Sequence, residues 1–307
     1  MDTNLDILIG HYSKIHKNKI FSNKMMLTNG NPGIMFFYDT EKELVNFKEC
    51  FGYYLPIYVQ NEDFIETMDI TGDIDDKLTI YSKRTWNDST LVPHRETSIS
   101  GIYGELFLDI YLRLVCDRKI LLSYGSKRGY SLQSETKGID SIGYVFNGNN
   151  IELYLSEAKF VGNKHDAKRS LLNDISKGEI PHLRADYLNK YFGFVLKKDL
   201  SCLKQDRKII SGIFADINRR INSIDNPEKF VDIIIDKNIK INFVCFAIFQ
   251  DKPQNPDDLN MIYDELMQEI KNQFSILGIS NYGYEIVFIP TKNKSMIIKE
   301  EINSFYE

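Results

Sequence analysis

Cysteine is scarce and dispersed in this chain. Four cysteines stand among 307 residues, at Cys50, Cys116, Cys202 and Cys245, with no CxxC pair and no histidine close by. That spacing excludes a zinc ribbon and the disulfide framework of a small secreted domain, so the four are read as reduced residues of a cytoplasmic protein. A basic excess is also missing. Lysine and arginine total 38 against 43 acidic residues, a net charge of -5. Any contact with nucleic acid must therefore come from a local patch or a partner. The apolar run from Phe243 to Phe249 is far shorter than the ~20 residues that span a bilayer, so no membrane segment is expected. The first residues carry Asp2 and Asp6 and no apolar stretch, which argues against a signal peptide. There is no Walker loop, no HExxH and no GxSxG, which removes the sequence support for an NTPase, a zincin or a serine hydrolase.

What is present is ordinary globular material: 43% hydrophobic and 26% charged residues. The length suggests one large domain or two modest ones. The reading divides the chain into an N-terminal α/β region of unassigned role over residues 1–95 and a larger domain over 96–307, with an insertion at about 180–238. In the first region, Gly33 to Tyr38 and Tyr54 to Val59 read as strands, Asn29 to Gly33 as a loop, and Thr85 to His94 as a connection. A buried helix follows, with Ile102, Tyr103, Leu106, Phe107, Ile110, Tyr111 and Leu114 at helical spacing and Ser98 or Ser100 as its cap. Strands are expected over 120–124, 138–146, 151–161, 240–250 and 284–289, and helices over 164–176, 209–221, 257–277 and 295–306.

Asn147-Gly148-Asn149-Asn150 is a strong hairpin signal. With the turn centred between Gly148 and Asn149, paired numbers sum to 297. Phe146 then faces Ile151, Tyr144 faces Leu153, Ile142 faces Leu155, and Asp140 falls opposite Glu157. Side chains alternate along a strand, so all of these share one face and Lys159 joins them. Two facing carboxylates destabilise a sheet and raise one pKa unless a cation lies between them. With a hard dication the same pair becomes useful for phosphodiester hydrolysis, and the lysine can polarise water or steady developing negative charge. Glu105 on the preceding helix completes the set.

The same residues have plainer readings. An ExK in a strand is common, and Glu105, Asp109 and Arg113 at helical spacing also fit a solvated, salt-bridged stripe. Lys127 and Arg128 in a loop, with Lys164, Lys168 and Arg169 on a helix, fit phosphate contacts or a solvated face. Tyr124, Tyr130 and Tyr144 fit base stacking or core positions. His165 lies near the site in sequence.

Gly104-Glu105, the run Lys137 to Tyr144 (KGIDSIGY) and Leu155 to Phe160 (LSEAKF) resemble the PD-(D/E)xK nucleases. Among these, the chain resembles the HamA subunit of Hachiman anti-phage systems, most closely from Ser98 to Lys177. The proline of the name motif is absent, and Gly138 precedes Ile139-Asp140. The resemblance implies an α/β (α+β) restriction-endonuclease-like core of αβββαβ order with an N-terminal extension and insertions. It implies Glu105, Asp140 and Glu157 as ligands of Mg²⁺ or Mn²⁺, and Lys159 as the catalytic lysine. It further implies DNA as substrate and a HamB-like helicase as partner that restrains cleavage until triggered. The alternatives are a stand-alone restriction or repair endonuclease and a catalytically silent DNA-binding module of the same fold. An intact set of four residues argues against the silent module.

Overall fold

The computed structural model describes residues 3–20, 24–26, 33–36, 41–60, 62–88, 99–122, 139–147, 150–179, 181–195, 207–225, 227–250 and 257–291. The expected closing helix over 295–306, the 29–32 loop, Ser98, Tyr124, Tyr130, Lys127, Arg128 and Cys202 lie outside them.

Among the described residues, seven strands form one mixed sheet covered by helices on both faces. The elements run α1 (Asn4–Ile20), β1 (Lys24–Met26), β2 (Gly33–Phe36), α2 (Glu41–Val59), α3 (Glu62–Thr67), α4 (Ile74–Asn87) and α5 (Ile99–Ile110). A π-helical turn, Tyr111–Val115, leads to β3 (Lys119–Leu122), β4 (Ser141–Asn147) and β5 (Asn150–Val161). Then come α6 (Lys164–Leu172), a second π-helical turn (Asn173–Lys177), α7 (Ala185–Val195), α8 (Arg207–Ile221) and α9 (Phe230–Asp236). Strand β6 (Lys240–Gln250), α10 (Asp257–Ile276) and β7 (Tyr282–Thr291) complete the order. The strand order across the sheet is β1-β2-β7-β6-β5-β4-β3. The β5, β6, β7 and β2 neighbours pair in parallel, while β3, β4 and β5 are antiparallel, as are β1 and β2. From α5 to β6 the sequence of elements is helix, three strands, helix, strand, with α7, α8 and α9 inserted before β6.

Central β6 shows why the sheet is sandwiched. Ile241, Phe243, Cys245, Ala247 and Phe249 enter one apolar layer, and Val244, Phe246 and Ile248 enter the other. A strand buried on both faces is apolar throughout, as expected for parallel strands roofed by helices. One layer is closed by α6 to α10, the other by α1 to α5. Strand β2 pairs with β7, and α1 to α4 share an apolar layer with α5. The described residues of the N-terminal region thus share one sheet and core with those that follow. No described helix is long and apolar enough to cross a membrane.

The hairpin register agrees with the turn arithmetic: Phe146↔Ile151, Tyr144↔Leu153 and Ile142↔Leu155. Two local expectations do not hold. Tyr54 to Val59 belongs to α2, not to a strand. Its aromatic and β-branched residues suit a pleated surface, but here Tyr54, Leu55, Ile57, Tyr58 and Val59 are all buried in one helix that has apolar neighbours on several sides. A short apolar run carries no period with which to tell the two apart. Thr85 to Asn87 are the last turn of α4 rather than a connection. That helix starts at Asp73, whose carboxylate accepts from the N–H groups of Asp75 (2.9 Å) and Asp76 (3.2 Å), a standard N-cap.

Candidate metal centre

The site is built at the β4–β5 hairpin and roofed by the segment that follows α6. Along β5, Leu153 and Leu155 point into the α6–α10 layer, whereas Ala158 and Phe160 point into the α1–α5 layer. Alternation puts Glu157 and Lys159 on the first of these faces. Pairing with β6, Glu157↔Cys245 and Lys159↔Ala247, holds this stretch in the middle of the sheet. On the opposite face α5 comes very close. A Cβ on Gly104 would stand 3.3 Å from the Cβ of Phe160 and 3.5 Å from the Lys159 carbonyl carbon, so glycine is what lets the helix seat against the site strand.

Asp140 lies one residue before β4. Its N–H donates to the Ser156 carbonyl at 3.0 Å, and its carboxylate accepts from the Ala158 N–H at 2.8 Å. The hairpin thereby fixes Asp140 beside Glu157, although outside the strand ladder. Glu157 is 1% exposed. Burial and then the charge of Asp140 push its carboxyl up to about 7, against the opposing pull of His182 and Lys159. This is the like-charge strain expected of facing carboxylates, reinforced by desolvation. Lys159 places its ammonium 2.5 Å from Asp174 Oδ2 and 3.6 Å from Glu157 Oε2. Burial alone would lower its pKa, but Glu157, Asp140 and Asp174 together raise it, so the lysine stays charged.

The structure adds two residues that sequence reasoning missed. Helix α6, capped by Asn163 through a 2.9 Å bond from the Asp166 N–H, widens at its end into the Asn173–Lys177 π-turn. Such bulges often mark functional sites, and this one carries Asp174. Gly178 ends the turn by donating to the Asn173 carbonyl at 2.9 Å. Any Cβ there would meet that oxygen at 2.8 Å. The chain then doubles back so that the His182 N–H donates to the Asp174 carbonyl at 2.5 Å. His182 is buried, lies 4.9 Å from the Tyr187 ring, and sets Nδ1 2.6 Å from Glu157 Oε1. Burial acts to lower the His182 pKa, but Glu157, Asp174 and Asp140 outweigh it and the net shift is upward.

Glu157, Asp174 and His182 each offer a ligand atom within 4.8 Å of the other two. In the free chain His182 Nδ1 faces Glu157 Oε1 at 2.6 Å and the Lys159 ammonium holds Asp174 Oδ2 at 2.5 Å. Two carboxylates with one imidazole gathered this closely suit a divalent cation. No motif spacing links positions 157, 174 and 182. The only sequence signals are a Pro-His step and an acid late in a helix.

The remaining sequence candidates are placed as follows. Glu105 accepts a 2.8 Å hydrogen bond from Tyr58 on α2, and the charges of both Glu105 and Asp140 act on that phenol. Neither Glu105 nor Asp140 belongs to the three-ligand group. The helical stripe is not solvated: Asp109 is 1% exposed and accepts from Tyr54 at 2.6 Å and Arg113 at 3.0 Å. Lys164 and Lys168 bind Asp258 (3.2 Å) and Glu265 (3.1 Å) of α10, and Arg169 binds Asp166 at 2.8 Å. Tyr144 is a core residue. His165 is exposed on α6, while His182 is the histidine that reaches the centre.

Comparison with known families adds one match. No curated protein matches the chain, but the HamA family model matches residues 12–307. That match covers the hairpin, both π-turns and the N-terminal strands and helices alike, and on this ground the chain belongs to the HamA family.

Proposed function

We propose that this chain is a metal-dependent deoxyribonuclease of the PD-(D/E)xK type, acting as the effector of a Hachiman anti-phage complex. In this reading a HamB-like helicase delivers DNA and restrains cleavage until triggered. The observation that carries it is the grouping of half-buried Asp140 and Lys159 around buried Glu157 on one hairpin, with Glu157 raised to about 7 by burial and by Asp140. A structural protein gains nothing from such strain, whereas a cation site uses it. Family membership supports the defence context. The helix, three strands, helix, strand order supports the nuclease core, and the net charge of -5 accords with delivery by a partner.

Each residue has a task in this reaction. A bound divalent cation supplies Lewis acidity and lowers the pKa of bound water. Glu157 and Asp140 contribute the negative charge that holds it. Glu157 must be ionised for this, so the proton that burial favours on it competes with the cation and metal affinity is expected to rise with pH. Lys159 keeps its proton and sets an ammonium where negative charge develops on the phosphate. Glu105, held by Tyr58, is the further acid that the family resemblance assigns to the reaction.

The test is degradation of plasmid DNA by the purified chain with Mg²⁺ or Mn²⁺, with and without the helicase and ATP. Alongside run Glu157→Ala, Lys159→Ala and Asp140→Asn. Metal-dependent cleavage lost by about 100-fold or more in each variant is the expected result, in line with the worth of a charged group at a reacting centre. Cleavage without the helicase selects a stand-alone endonuclease. Failure to cleave under every condition overturns the nuclease reading.

A further inference from the structure

We infer that Glu157, Asp174 and His182 form a site that takes a first-row transition dication, Mn²⁺ or a later ion, in preference to Mg²⁺. His182 Nδ1 is the selective ligand. The inference rests on the proposed metal-dependent reading for its catalytic consequence, but its geometry stands without it.

The argument starts from what fixes His182. The imidazole is not a surface group that happens to lie near an acid. Pro181, His182 and Leu183 are all buried. The His182 N–H is bonded to the Asp174 carbonyl at 2.5 Å, and the neighbouring Leu183 N–H donates to the Ile175 carbonyl at 3.2 Å. The Tyr187 ring flanks the imidazole with centroids 4.9 Å apart. Two backbone bonds to the π-turn thus clamp the histidine onto the element that carries Asp174. A change in one ligand's position moves the other with it.

The ligand atoms then decide the chemistry. The candidates are an oxygen of Glu157, an oxygen of Asp174 and a ring nitrogen of His182. All three fall within 4.8 Å of one another. Two carboxylates and one neutral imidazole balance the charge of a dication. Mg²⁺ takes oxygen ligands and keeps its waters, so an imidazole adds little for it. Transition dications bind a mixed nitrogen and oxygen set progressively more tightly from Mn²⁺ onward. Lys159 sits 2.5 Å from Asp174 Oδ2. It neutralises the acids in the free chain, and a cation arriving there takes over that task and leaves the ammonium for the substrate side.

The experiment uses the full chain stripped with EDTA. Mn²⁺ and Mg²⁺ are titrated separately by calorimetry at pH 8, and bound Mn²⁺ is examined by pulsed EPR. The expected result is Mn²⁺ binding at least about tenfold tighter than Mg²⁺, with nitrogen hyperfine coupling on the bound ion. His182→Gln is expected to abolish that coupling and weaken Mn²⁺ by at least about tenfold, the loss that even outer partners of metal ligands cause. Its Mg²⁺ affinity should move far less. Asp174→Asn keeps the nitrogen coupling and weakens both ions, and it serves as the second variant should His182→Gln fail to fold by circular dichroism. Equal affinities for the two ions, or bound Mn²⁺ without nitrogen coupling, overturn the inference. The DNA assay is independent. Cleavage in Mg²⁺ without Mn²⁺ preference sinks this inference alone, whereas selective Mn²⁺ binding without cleavage sinks the nuclease reading alone.

Discussion

Glu157→Gln is expected to stabilise the metal-free protein at alkaline pH while removing its metal site. The reasoning follows from burial. A carboxyl moved from 4.5 to about 7 favours its protonated form by about 3 kcal/mol over the ionised one, taken as an upper bound. Because the folded value lies above the unfolded one, the native state holds a proton that the unfolded chain has released. The associated stability is fully present below pH 4.5 and is lost as pH rises through about 7. His182 is also raised, from 6.5, and runs in the same sense, so the two titrate as a coupled pair. Glutamine keeps the neutral shape at every pH. The difference between variant and wild type should be small at pH 5 and should grow to between about 1 and 3 kcal/mol in favour of the variant at pH 8. Urea unfolding in EDTA at pH 5, 6.5 and 8 measures it. With Mn²⁺ at 100 times its dissociation constant, wild type gains about 2.7 kcal/mol and the variant gains nothing. A wild type more stable than the variant at pH 8 in EDTA, or a difference that does not change with pH, refutes the argument that Glu157 is held at the expense of stability.

Three further outcomes are expected. Tyr54→Phe removes the 2.6 Å bond to buried Asp109 and should lower unfolding free energy by about 1 to 3 kcal/mol, read from denaturant midpoints with unchanged m-values. Gly104→Ala puts a methyl 3.3 Å from the Phe160 Cβ, which should cost about 1 to 3 kcal/mol of stability. Because β5 must give way there, it should also reduce metal-dependent DNA cleavage, whereas Gly101→Ala, where a Cβ meets nothing within 4 Å, should change neither. Lys159→Met is expected to keep the fold and divalent-ion binding, measured by calorimetry, while losing DNA cleavage. Loss of ion binding in that variant would place the lysine in the ligand cage instead.

The sequence determined the parts of this protein that follow from local pattern. Alternation and the Asn-Gly-Asn-Asn turn set the hairpin register down to individual pairs, because a two-residue loop leaves one register that keeps Ile142, Tyr144, Leu153 and Leu155 on one buried face. The same arithmetic brought Asp140, Glu157 and Lys159 together. Apolar β6, buried on both faces, was legible from its unbroken run. Tertiary structure decided what local pattern does not encode. The Tyr54–Val59 run became helix because its packing partners, not its propensity, chose the period. Asp109 and Arg113, equally suited to a wet stripe, were drawn inside by Tyr54 of another helix. Asp174 and His182 came to the centre through a π-turn and a backbone reversal at Gly178, a geometry with no fixed spacing to Glu157 in the chain. Strand neighbours are dictated by alternation over a few residues, whereas ligands from separate elements meet only when the whole sheet and its covering helices have packed.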